Sequence, residues 1–342
     1  MQTINWGIIG CGDVCEVKSG PALQQANGSN LVAVMRRDAD LAADFARRHD
    51  VPFSSGDASA IINNPNVNAV YIATPPGSHL EYALQVARAG KPCYVEKPMA
   101  RSAAESRQMC EAFEAANVPL YVAFYRRGMT RFQTAKRLID EGALGTVTGV
   151  SYRYMSPRDD KLNADDLPWR VRAEQAGAGL FYDLGSHTLD ILDYILGPLG
   201  NVAGVAANVA TPSLDVEDSV AMSFTAMGAP GVASWNFAAM QRADAIEIYG
   251  DKAKLSLSCF GGDDIIVESG DGVETFDGAA PQPVHLGLVQ TIVDELRGQG
   301  TALSTGRSAL RTMDAMDAVL ADYYGGRDDD FWQRPDSWPG NG

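Results

Sequence analysis

Five short apolar runs, at residues 4–9, 31–35, 69–73, 93–96 and 120–124, set the rhythm of the first third of the chain, each bounded by Gly, Pro or Asn. Runs of that length without polar alternation are what a parallel sheet buried on both faces requires. Between them the period changes: Leu41, Phe45 and Ala46 recur at helical spacing, as do Leu80, Ala83, Leu84 and Ala87. Ser78-x-x-Glu81 and Ser102-x-x-Glu105 have the capping-box form that opens a helix. Strand and helix in strict alternation predict a doubly wound α/β domain over residues 1–125.

Past that point the pattern changes. After a helix through Phe132, Ala135, Leu138 and Ile139, the runs 147–154, 220–224, 232–237 and 246–249 read as strands of a mainly antiparallel sheet. A helical segment at 181–196 interrupts them, and Leu310, Met313, Met316, Val319 and Leu320 predict a C-terminal helix able to pack back on the first domain. Residues 126–342 are therefore expected to form an α+β domain. The tail 327–342, rich in Asp, Trp and Pro, carries no period and is expected to wrap the surface or a neighbouring subunit. A chain of 342 residues exceeds what one core serves, which favours two domains with a ligand-holding cleft.

A net charge of −15 repels phosphate backbones and anionic headgroups, arguing against nucleic acid and membrane surfaces as partners. The five cysteines (Cys11, Cys15, Cys93, Cys110, Cys259) include no CxxC pair, which fits a reducing compartment. The first apolar run leads straight into glycines without a basic leader, and no apolar stretch is long enough to span a bilayer. A cytoplasmic location is the expectation.

Against that acidic background three segments stand out. Gly7-Ile8-Ile9-Gly10-Cys11-Gly12-Asp13-Val14-Cys15 puts glycines where a first strand turns into a first helix, so that the backbone can approach a pyrophosphate. Cys15 stands where Gly or Ala is usual in such motifs. The second run ends at Met35-Arg36-Arg37-Asp38, where an acidic residue would bind a ribose diol. Arginines there suit a 2′-phosphate, which favours NADP, with NAD as the alternative. Asp38 is placed to cap the next helix.

The second segment is a pair of strand ends, Thr74-Pro75-Pro76-Gly77-Ser78-His79 and Glu96-Lys97-Pro98, lying where open α/β sheets bind ligands. The third is 177–190, in which Asp183 and His187 are four apart and would share a helix face. His187 is one of four histidines and titrates in the range that suits proton exchange with a hydroxyl. A metal reading of Asp183, His187 and Asp190 lacks a further His or Cys to complete it. Taken alone, Asp183 and His187 read better as a helix cap and a core histidine.

Gly-Ile-Ile-Gly-Cys-Gly at 7–12, Thr-Pro-Pro-x-x-His at 74–79, Glu-Lys-Pro at 96–98 and Asp-x-Gly-x-His at 183–187, in that order, resemble the Gfo/Idh/MocA family, named for glucose-fructose oxidoreductase and inositol dehydrogenase. The match runs over nearly the whole chain. The resemblance implies an N-terminal Rossmann dinucleotide-binding domain, a C-terminal domain on a large open sheet, and a homodimer or homotetramer formed through that sheet. It implies that Lys97, Asp183 and His187 are catalytic, and that the bond before Pro98 is cis. Cofactor contacts would come from Gly10, Gly12, Asp13, Val14, Arg36, Arg37, Thr74, Pro75, His79, Glu96 and Lys97. Substrate contacts would come, beside Asp183 and His187, from loops carrying Tyr125, Arg126, Arg153, Arg158, Lys161, Asn163, Trp169 and Arg172. The expected activity is hydride transfer between NAD(P) and a hydroxyl or carbonyl carbon of a sugar, polyol or sugar derivative. The rivals are an NAD-assisted glycoside hydrolase and a non-catalytic dinucleotide-sensing regulator.

Overall fold

The computed structural model describes residues 3–159, 162, 167–328 and 330–341. Its contacts divide the chain into two units, one of Met1–Ala100, Glu105–Met129 and Pro281–Leu310, the other of Arg101–Ala104, Thr130–Ala280 and Arg311–Gly342.

The first unit is built on six parallel strands: β1 (Ile4–Ile9), β2 (Ser29–Met35), β3 (Phe53–Ser55), β4 (Ala69–Ile72), β5 (Cys93–Val95) and β6 (Leu120–Val122). They lie in the order β3-β2-β1-β4-β5-β6, so the winding reverses between β1 and β4. That reversal opens a crevice beyond the carboxyl ends of the strands. The sheet is apolar on both faces: β4 is buried at every position, and Trp6, Ile8 and Ile9 of β1 are fully buried. Each apolar run predicted a strand, whereas β3 was not anticipated, because Phe53-Ser54-Ser55 is a short, half-polar edge strand. Asp38 caps the helix Ala39–Arg48, accepting from the backbone N–H groups of Asp40 and Leu41. Ser78 does not form its capping box: its hydroxyl donates to Thr74 Oγ1 (2.8 Å) and Pro75 O (3.1 Å), so the loop rather than the helix takes its bond. The helix Leu286–Leu296, far along the chain, joins this unit and buries Leu288, Val289, Ile292 and Val293 in its core.

The second unit carries an eight-stranded sheet of β7 (Val147–Met155), β8 (Gly200–Ala207), β9 (Ser219–Ala226), β10 (Ala229–Asn236), β11 (Ala243–Gly250), β12 (Ala253–Leu257), β13 (Ile265–Ser269) and β14 (Gly272–Phe276). The order is β14-β13-β12-β11-β7-β10-β9-β8, and only β7 and β10 pair in parallel. Side chains alternate between faces. Tyr152, Met222, Phe224, Trp235, Ile246 and Ile248 are buried, while Val205, Val232 and Val273 lie 59–66% exposed.

The tail folds back on its own unit. Phe331 and Trp338 are buried, Trp338 Nε1 donates to Phe331 O (2.9 Å), and the Arg101 guanidinium lies 3.7 Å from the Trp332 ring centroid. Buried Arg327 donates to Asp317 (2.6 Å), Gly177 O (3.0 Å) and Arg101 O (2.9 Å) among the rings of Tyr182, Tyr324 and Phe331. Among the described residues no helix is long and apolar enough to cross a membrane.

Candidate active site

In the first unit the loops after β1, β4 and β5 meet. Gly10 has φ +91° and donates its N–H to Met35 O, and a Cβ there would lie 2.6 Å from Thr74 Cγ2, so only glycine lets the two loops touch. Gly12 is different: a Cβ built on it meets nothing closer than 4.0 Å, leaving open space beside the backbone. That space is what a pyrophosphate needs, and Asp13 and Val14 begin the helix Asp13–Val17 directly after it. Cys15 is fully buried, its thiol 3.9 Å from Gly10 O and 3.6 Å from Ser19 Oγ, and burial pushes its pKa up. The helix breaks one turn later, at Lys18, and restarts at Ser19. Arg36 and Arg37 follow β2 and are exposed. Arg36 is close enough to oppose the burial that pushes the neighbouring Cys11 thiol up to about 11. By contrast Arg48 is tied up by Glu16 (2.6 and 2.7 Å) and Asp44 (2.7 Å).

His79 was expected among the cofactor contacts; instead it is fully buried and joins loops to each other. Its Nε2 lies 2.7 Å from Thr74 O and its Nδ1 3.2 Å from Pro98 O and Met99 O. Burial pulls the imidazole pKa down to about 4 against the pull of those carbonyls. Glu96 is likewise an internal strut. Its Oε1 accepts from Tyr71 OH (2.6 Å) and its Oε2 from the Lys97 N–H (3.0 Å), and burial raises its pKa. The Lys97-Pro98 bond is cis, as expected.

Sequence reasoning passed over His285. It is buried, its Nε2 3.9 Å from Glu96 Oε1, its Nδ1 3.2 Å from Tyr94 OH and its ring stacked on Tyr125 at 4.5 Å. Burial, with Lys18, Lys97 and Arg126 nearby, pulls its pKa down to about 3. Its rarity as one of four histidines was the available signal. Tyr125 thus belongs to the first unit, in the 3-10 turn Tyr125–Gly128 after β6, with the Arg126 guanidinium 4.9 Å from its ring.

In the second unit, 181–196 is not one regular helix. A single π turn, Phe181–Gly185, precedes the α-helix Ser186–Leu196, and such wide turns recur at functional sites. Gly185 makes room for it, since a Cβ there would lie 2.5 Å from the Phe181 ring. Asp183 sits inside this turn and His187 just past it, so their offset is wider than i,i+4 stacking gives. Asp183 Oδ2 pairs with Arg170 Nε at 3.3 Å, and His187, 4% exposed, meets the Phe260 ring edge-on at 5.9 Å. Arg170, itself half exposed, is a cation at Asp183 that the sequence analysis did not single out.

Trp169 stacks under Arg170 at 4.5 Å, Arg172 Nε donates to Leu167 O (2.9 Å), and Arg158 donates to Ala210 O (3.3 Å). Arg153 corrects an expectation. It pairs with Ser234 on the sheet face that exposes Val232, opposite Tyr152, and Tyr152 is on the face that packs toward Phe181 through Trp235. Lys161 and Asn163 lie outside the described residues.

Residues 4–124 match the model for the oxidoreductase family with an NAD-binding Rossmann fold, and 132–256 match the GFO/IDH/MocA C-terminal domain. An oxidoreductase of Formosa agariphila is 37% identical over 292 residues, covering 85% of this chain and 90% of its own. The chain belongs to the GFO/IDH/MocA family. A levoglucosan dehydrogenase of Pseudarthrobacter phenanthrenivorans is 32% identical over 217 residues, 60% of this chain and 54% of its own. Among solved structures, a levoglucosan dehydrogenase in complex with NADH superposes with a TM-score of 0.81 at 26% identity, covering 93% of this chain and 96% of its own.

Proposed function

We propose that this GFO/IDH/MocA protein oxidises or reduces a sugar, polyol or sugar derivative with NADP, NAD being the alternative, and that Lys97, Asp183 and His187 do the chemistry. The observation that carries the reading is the loop after β5, where Glu96 fixes the Lys97 backbone beside the glycine turn whose Gly12 leaves room for a dinucleotide. The named activities of relatives, levoglucosan dehydrogenase among them, support a sugar-like substrate. When bound, the nicotinamide supplies the hydride acceptor or donor.

The protein's own residues have separate tasks. Lys97 Nζ hydrogen-bonds the reacting oxygen and stabilises negative charge developing on it. His187 takes or gives the hydroxyl proton, and Asp183, held by Arg170, orients substrate or imidazole. Gly10, Gly12, Asp13, Val14, Thr74 and Pro75 shape the dinucleotide cradle, and exposed Arg36 and Arg37 receive a 2′-phosphate. His79 and Glu96 hold the cradle from beneath. The bare outer face of the eight-stranded sheet, with Val205, Val232 and Val273, supports a homodimer or homotetramer through that face. Five buried, unbridged cysteines support a reducing, cytoplasmic location.

The test is a panel of sugars, polyols and keto sugars, anhydro sugars included, followed by absorbance of the reduced nicotinamide with each cofactor. Turnover with a preference for NADP is expected, and Arg36→Asp should erase that preference by about tenfold, the loss of one charge-assisted pair. Cofactor binding without turnover on any member would point to a sensing role instead. An unchanged preference in the Arg36 variant would remove the NADP assignment.

A further inference from the structure

The loop that follows β12 is held more rigidly than its length calls for. Asp244, at the start of β11, accepts from three successive backbone N–H groups, Cys259 (3.0 Å), Phe260 (2.6 Å) and Gly261 (3.2 Å), and also from Tyr152 OH (3.1 Å). From the other side Arg131, with no exposed surface, donates to Ser258 O (2.7 Å), Ser258 Oγ (3.1 Å) and Gly261 O. A buried guanidinium and a carboxylate are thus both spent on fixing four residues of backbone. Burying a guanidinium is costly unless its donors find acceptors, so these bonds tie the loop's position to Arg131.

What the loop presents is one side chain. Ser258 and Cys259 are buried, whereas Phe260 is only half-buried and projects its ring between Tyr154 (5.2 Å) and His187 (5.9 Å). We propose that Phe260 is a specificity-determining residue, an apolar wall beside His187 that receives a hydrogen-only face of the substrate ring. The inference rests on the catalytic reading of His187 given above.

The physical consequence is selective. An aromatic ring stacks well on C–H groups but offers no partner to a hydroxyl, which on reaching it gives up water and gains nothing. A pyranose whose hydroxyls are all equatorial turns only C–H groups to such a wall, so it is favoured over epimers that set an axial hydroxyl against it.

The experiment compares kcat/KM for glucose with that for its epimers mannose, allose and galactose, in wild type, Phe260→Leu and Phe260→Ser. Cofactor affinity and melting are followed in parallel. Wild type should prefer glucose to at least one of these axial epimers by about tenfold or more, within the range apolar pockets discriminate. Phe260→Leu should keep that ratio within about threefold, and Phe260→Ser should collapse it mainly through KM, with cofactor affinity unchanged. If Phe260→Ser does not fold, Phe260→Tyr retains the ring and should narrow the ratio by offering a hydroxyl. A ratio that survives Phe260→Ser, or Phe260→Tyr where that variant stands in, overturns the assignment while leaving the catalytic reading intact. Wild type inert on every sugar removes the catalytic reading and this assignment together.

Discussion

The loop carrying Lys97 and the turn carrying His187 are fixed by different means. Lys97 follows a strand lying between its chain neighbours β4 and β6, and Glu96, His79 and Tyr71 come from that same strand-loop-strand succession, with His285 added at Glu96 from far along the chain. His187 follows a π turn whose neighbours come from separate segments: Phe260 beyond β12, Arg170 from a 3-10 turn, and Arg327 from the tail, over the Tyr182 ring. The first arrangement derives its precision from backbone topology, the second from individual long-range side chains. Substitutions can therefore re-tune the turn while leaving the loop unchanged.

The largest expected effect separates the two halves from cofactor binding. His187→Ala should lower kcat by about 10²–10⁴, the usual worth of a positioned general acid or base, with cofactor affinity unchanged. Parallel losses of cofactor affinity and kcat would mean that the turn is merely structural. Next comes Arg327→Leu, which takes a buried guanidinium from the largely covered Asp317 carboxylate and should cost about 3 kcal/mol of stability, read by urea denaturation. It should weaken the His187 half more than dinucleotide binding; equal damage to both would erase the distinction drawn here.

The smallest effect probes the buried histidine under Lys97. With its folded pKa pulled down to about 3, His285 is neutral in the native state and protonates first in the unfolded chain. Its contribution is complete above the ordinary histidine pKa, about 6.5, and is lost as pH falls toward the folded value, at about 1.4 kcal/mol per pH unit. His285→Gln should flatten the fall in stability between about pH 6.5 and 4.5 by that slope. An unchanged slope would show that His285 is charged in the folded state.

The contrast also explains what could be read from the chain. Apolar runs bounded by turn residues announced five of the six parallel strands, because a strand buried on both faces leaves a continuous pattern, and β3 escaped because its polar residues sit at an edge. Gly10 and Asp38 were legible since their roles follow from local backbone. Arg153 was misplaced because period-2 alternation decides its face, and a shift of one residue reverses the answer. Arg170, Phe260 and His285 were missed for a common reason: each acts across a tertiary contact whose register no local pattern records. The π turn is subtler still, differing from the expected helix by one residue in its hydrogen-bond spacing.

The central claim is that an amine and an imidazole from these differently built halves serve one reacting oxygen. A crystal structure of the protein with NADP and a sugar it turns over tests this directly. Lys97 Nζ and a ring nitrogen of His187 should both lie about 3 Å from the same substrate oxygen. A complex in which either side chain faces away from that oxygen, into separate surroundings, would contradict the account.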